Sequence, residues 1–105
     1  MAAESTDAEL LRRYVHERAE AAFAELVRRY LGLVYHAALR QLGGEAHAAE
    51  DVTQRVFMLL ARKADALHSH ATLAGWLYTT TRHVASEASR AERRRRVRAN
   101  GRPMR

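Results

Sequence analysis

Apolar residues recur at every third or fourth position along most of the chain, the spacing that places them on one buried helical face. From Ala21 to Leu42 the positions Phe23, Leu26, Val27, Tyr30, Leu31, Val34, Ala38 and Leu39 form such a stripe, and Gly43-Gly44 supplies its stop. Upstream, Thr6 followed by Glu9 has the spacing of a capping box, opening a helix to about Glu17 with Leu10, Leu11, Tyr14 and Val15 on its apolar side. A third helix is predicted from about Ala46 to Ala64. Val52, Val56, Leu59 and Leu60 share its packing face, while Asp51, Gln54, Arg55, Met58 and Arg62 fall opposite. The run 65–71, Asp-Ala-Leu-His-Ser-His-Ala, interrupts the pattern and reads as a loop. A fourth helix starts near Thr72, which is placed to cap it. Its buried stripe is Leu73, Leu77, Val84 and Ala88, with Tyr78, Arg82, Ser86 and Ser89 on the far side and Trp76 and His83 on a flank. Glycine is scarce, the one proline is Pro103, and good helix formers dominate. The expected fold is all-α, a compact bundle of about four helices.

Length and composition narrow this further. A chain of 105 residues has the size of one domain with one modest core. It has no cysteine, so disulfides, thiolate metal sites and a cysteine nucleophile are excluded, and a reducing compartment fits. No stretch approaches the roughly 18 consecutive apolar residues of a membrane span, and the N-terminus lacks a basic start followed by an apolar run. The expected location is the cytoplasm, with no membrane partner.

Charge changes the picture more. The formal net charge is +6, yet residues 90–105 hold eight arginines against one acid, Glu92, so this end carries +7 and the remainder sums to −1. A near-neutral body with one cationic end fits a located contact with a polyanion, nucleic acid or an acidic surface; a solubilising tail fits as well.

The chemistry-bearing residues argue against catalysis. Six histidines (16, 36, 47, 68, 70 and 83) form no HExxH motif and no paired set with a carboxylate, so no metal is expected. Glu50 and Asp51 are adjacent and diverge from a helix, no nucleophile has a base beside it, and no glycine-rich loop cradles phosphate. No cofactor is expected. On the fourth helix Tyr78, Thr79, Arg82, Ser86, Ser89, Arg90 and Arg93, followed by Arg94, make a ridge of hydroxyls and guanidiniums, groups that hydrogen-bond phosphate oxygens. Tyr78 is the freer aromatic for stacking on a base, while Trp76 reads more simply as core. Thr79 to Thr81 serve either hydroxyl contacts or tight packing. The polar face of the third helix, Asp51, Gln54 and Arg55 with Met58 one turn on and Phe57 at the margin, mixes charge, amide and thioether as protein contacts do. By pattern alone it reads as an ordinary solvated face.

Three segments carry a resemblance: "AFAELVRRYLGLVYHAALRQLGG", "HAAEDVTQRVFMLLARKA" and "LAGWLYTTTRHVASEASRAERRRR". Together they resemble region 2 of the sigma-70 family, of the extracytoplasmic-function type, over about residues 8–98. "AEDVTQRVF" is similar to conserved region 2.2, and the "GWLYTTTRH" segment to regions 2.3 and 2.4. The resemblance implies a transcription initiation factor domain that binds core RNA polymerase and recognises and melts the promoter −10 element. It implies that Asp51, Gln54, Arg55, Phe57 and Met58 face the clamp helices of the polymerase β′ subunit. The loop at about Ala66 to Thr72, with His68, Ser69 and His70, would capture an extruded base of the non-template strand. Tyr78, Thr79, Arg82, His83, Ser86, Ser89, Arg90, Arg93 and Arg94 would hold that strand and its upstream duplex, and an anti-sigma factor is a further partner of such domains. The family usually has Asn where His83 stands, Asp where Glu87 stands and, in many members, an acid where Arg55 stands. It also normally adds region 4, a helix-turn-helix domain reading the −35 element, which is not seen here. Residues 1–99 are then expected to form the domain, and 100–105 the start of a linker.

Two other readings of the same residues stay open: a helical regulator that binds intact duplex without polymerase, and a protein interaction module whose arginines only solubilise it.

Overall fold

The computed structural model describes residues 5–67 and 72–100, and all of its regular structure there is helical. Helix α1 (Asp7–Glu17) opens on the predicted capping box. The Thr6 hydroxyl accepts from the Glu9 amide at 3.1 Å, and the Glu9 carboxylate accepts from the Thr6 amide at 2.8 Å. The chain then turns through Arg18, held in the left-handed region at φ 52°, a conformation that costs a non-glycine residue about 1 kcal/mol.

Helix α2 (Glu20–Gln41) ends where the glycine pair predicts, with Gly43 and Gly44 at φ +66° and +87°, a conformation glycine adopts without penalty. The Gly44 amide donates to the Leu39 carbonyl at 2.9 Å, satisfying an end of the helix.

Helix α3 (Ala46–Leu67) runs three residues beyond its expected end at Ala64. The loop expected over 65–71 is therefore corrected in its first part: Asp65, Ala66 and Leu67 are helical. The cause is packing, since Leu60, Ala64 and Leu67 are all buried on one row that continues the helix into the core. Residues 68–71 lie outside the described residues.

Helix α4 (Leu73–Asn100) spans 28 residues, about 42 Å at the usual helical rise. Thr72 precedes it, and its carbonyl accepts from the Trp76 amide at 3.4 Å. The Thr72 hydroxyl lies against Gly75, where a Cβ would stand 3.1 Å from it.

Leu10 and Leu11 of α1, Leu26 and Val34 of α2, Val52, Val56 and Leu60 of α3, and Leu73, Leu77 and Val84 of α4 form one core. Helices α2 and α3 pack on each other and each carries α1 and α4 as well. Tyr14 of α1 stacks at a tilt on Phe23 of α2, ring centroids 4.8 Å apart. A polar latch closes the same joint. Arg29 donates to Asp7 at 3.1 Å and to Glu25 at 3.3 Å, and the Tyr30 hydroxyl donates to the second oxygen of Asp7. Burial, together with the Asp7 carboxylate, pushes the Tyr30 phenol up to about 12. Glu25 is held below the usual carboxylate range chiefly by its hydrogen bond from Arg28.

Two hydroxyls are buried with the apolar side chains, and each finds a carbonyl one turn back: Thr53 to Ala49 and Thr81 to Leu77, both at 2.7 Å. The threonine run thus divides, with Thr81 fully buried as packing, Thr80 half-buried and Thr79 exposed.

Candidate functional site

The outward face of α4 begins as a shallow depression of about 320 Å³ lined by Tyr78, Thr79, Arg82, His83 and Ser86. One helix supplies all five side chains, because residues three or four apart share a helical face. Ser86 is anchored from outside that helix: the Gln41 amide at the end of α2 donates to its hydroxyl oxygen at 3.1 Å. That hydrogen bond leaves the hydroxyl proton available for another acceptor. Sequence reading misses Gln41, since nothing in the pattern tells where the last residue of α2 meets α4.

Further along, Arg90, Arg93, Arg94, Val97 and Arg98 line a second surface of about 650 Å³. Glu92 ion-pairs with Arg95 one turn on and lies 3.6 Å from Arg96. Among the described residues no ion pair engages Arg82, Arg90, Arg93, Arg94 or Arg98, and all five are exposed. The partial negative charge at the C-terminal end of a helix also favours cations there. Ser89, expected on this ridge, is half-buried and lies beside Ala48, Asp51 and Glu92 in a crevice between α4 and α3.

A different surface lies between α2 and α3, an apolar groove of about 980 Å³. Phe23, Val27, Leu31 and Tyr35 of α2 form one wall, four residues apart along a single ridge. Thr53, Phe57 and Met58 of α3 form the other, and Glu50, Asp51, Gln54 and His36 stand among the lining residues as its polar groups. Met58 is 55% exposed and Leu31 47%, whereas Phe57 is only 8% exposed and serves as the floor. The His36 ring donates from Nδ1 to the Gly32 carbonyl at 2.8 Å in the neutral form, which makes Nε2 its acceptor.

Of the five α3 residues expected to meet polymerase, the structure brings together Asp51, Gln54, Phe57 and Met58 on this groove. Arg55 is not among its lining residues; it faces α4 beside Glu87, Ala88, Arg90, Ala91 and Arg94. The α2 wall was missed by the sequence reading. Its signal is a second apolar row, 23, 27, 31 and 35, beside the core row of Leu26 and Val34, so the expected single stripe is two faces wide. Leu31, expected in the core, belongs to the groove.

His68, Ser69 and His70 lie outside the described residues. Ala66, at the start of the expected base-capture loop, is an exposed helical residue, and Leu67 is core. Among the described residues no three of His, Cys, Asp and Glu gather as metal ligands, and no helix is long and apolar enough to cross a membrane.

Comparison with known proteins gives one match, to the family described as Sigma-70 region 2, over residues 26–95. That span starts inside α2, ends inside α4 and contains both surfaces apart from Phe23, Val97 and Arg98, while α1 lies outside it. Searches of curated proteins and of solved structures gave no match. With two thirds of its length in that match and four helices to bear it, the chain belongs to the sigma-70 region 2 family, a domain of transcription initiation factors that work with RNA polymerase at promoters, and not of enzymes.

Proposed function

We propose that this chain is region 2 of a sigma factor of the extracytoplasmic-function type, gripping the β′ clamp helices of RNA polymerase with its α2/α3 groove and holding the −10 non-template strand on α4. The observation that carries the reading is the separation of the two surfaces. An apolar groove rimmed by Asp51 and Gln54 suits an amphipathic helical partner, whereas hydroxyls and guanidiniums in line suit a sugar–phosphate backbone. One domain can then hold both partners at once.

The mechanism requires no reaction at the protein. Extruding a base costs a few kcal/mol of pairing and stacking, least in AT-rich DNA, and a pocket for the extruded base offsets it. Tyr78 offers an aromatic face for stacking, and Arg82 and Ser86, one and two turns further along the same helix, hold phosphates beyond it. His83 and Glu87 replace the family's usual Asn and Asp and tune which bases fit. Arg90, Arg93 and Arg94 add attraction without sequence preference. An anti-sigma factor that covers the groove would silence the protein.

The test is binding to the isolated β′ clamp coiled coil. Wild type binds, and Asp51→Ala and Gln54→Ala each weaken binding about tenfold, with helicity by circular dichroism unchanged. Wild type that does not bind a folded coiled coil, while still binding DNA, would favour a regulator acting without polymerase.

A further inference from the structure

Arg55 sits next to Gln54 in sequence but about 100° around the helix from it, and this turn takes it from one neighbourhood to another. It lines a notch of about 390 Å³ between α3 and α4, with Glu87, Ala88, Arg90, Ala91 and Arg94. Two alanines keep that part of the notch low, so the long side chains around them stand as its walls. Three guanidiniums and one carboxylate give it a net charge of about +2. Among the described residues none of the three arginines has an ion-pair partner within 4.0 Å, Glu87 included.

We infer that Arg55, Arg90 and Arg94 form a phosphate-binding notch that carries the DNA track from α4 across onto α3. Continuity supports DNA over an acidic protein: Arg90 and Arg94 line both this notch and the outer arginine surface, so a backbone lying on one reaches the other without a gap. Guanidinium forks match phosphate oxygens in pairs, and a site open on one side admits a chain that passes through. Glu87 stands among the cations and disfavours carboxylates and phosphates placed directly over it, which confines the anion to the arginine side. Arg55 is thereby a DNA contact in this protein, although it lies on the helix that meets polymerase.

The inference rests on the proposed role of α4 as the DNA face, and the experiment separates the two. Arg55→Ala, Arg55→Lys and the wild-type chain are titrated with a short fluorescein-labelled AT-rich duplex between about 50 and about 200 mM salt, where one phosphate contact changes affinity by about 3.5-fold. The same proteins are titrated with the clamp coiled coil. Arg55→Ala is expected to show a shallower salt slope by about one contact, Arg55→Lys to restore the slope, and clamp affinity to stay within about twofold in both. A wild-type slope in Arg55→Ala would overturn the inference, the more so if clamp affinity fell, and would leave the role of α4 intact. Wild type that binds no duplex at about 50 mM salt would overturn both.

Discussion

The two surfaces are made in opposite ways. The α2/α3 groove takes its walls from two helices and exists only once they have packed; its centre is apolar and its charges stand among the lining residues. The α4 face takes its lining from one helix, runs from hydroxyls and an aromatic at its start to guanidiniums further along, and would persist in outline wherever that helix forms. A surface assembled from two elements depends on the core beneath it, while a surface borne by one element depends on helical periodicity alone. Each can therefore be broken without the other.

The largest effect is expected at the groove. Replacing Met58 and Leu31 together by aspartate puts charge on both walls and should weaken clamp binding by about 2 kcal/mol, some thirtyfold, in a titration that leaves the salt slope for DNA unchanged. Next comes a division within the arginine block. Arg93→Ala with Arg94→Ala removes two unpaired cations and should weaken DNA binding on any sequence while flattening the salt slope by two contacts, a difference of about tenfold over a fourfold rise in salt. Arg95→Ala with Arg96→Ala should cost less, because Glu92 already engages both side chains. Equal costs from the two double variants would show that the pairing with Glu92 gives way to DNA.

The latch between α1 and α2 offers a control outside both surfaces. Asp7→Ala should lower stability by about 1 kcal/mol in a urea melt and leave both binding constants as they were. It should also bring the Tyr30 phenol back from about 12 toward its ordinary 10.0 in an ultraviolet titration. The sign follows from the raised value: the latch contributes fully below about pH 10 and loses its contribution as pH rises through 12. The smallest effect is that of Gln41→Ala, which frees the Ser86 hydroxyl and should weaken DNA binding about threefold without changing the salt slope, since no charge is lost.

The two surfaces also differed in how far they could be read from the chain. Thr6, Glu9 and the Gly43-Gly44 pair marked helix ends correctly because caps and stops are local chemistry. Most of the α4 face followed from periodicity, since one helix suffices to define it. The groove did not, because its α2 wall and the core row beside it look alike as apolar spacing, and only the position of α3 tells Leu31 from Leu26. Arg55 was misplaced for the same reason: an exposed face has two flanks, and the neighbour of each is a tertiary fact. The end of α3 was missed because Asp65 and the following polar residues outweighed Leu67, whose burial decides the matter. Thr81 read as an open choice between contact and packing until its hydroxyl was seen to bond the Leu77 carbonyl.

Between Trp76 and Asn100 helix α4 contains no glycine and no proline, so it has no built-in joint. The arginines are therefore geared to the Tyr78 depression: an inserted residue would swing the whole block by about 100° and advance it by about 1.5 Å. Seven inserted residues would nearly restore the phase while moving the block about 10.5 Å, roughly the rise of three base pairs. The helix sets both the angle and the distance at which one length of DNA is offered to the other.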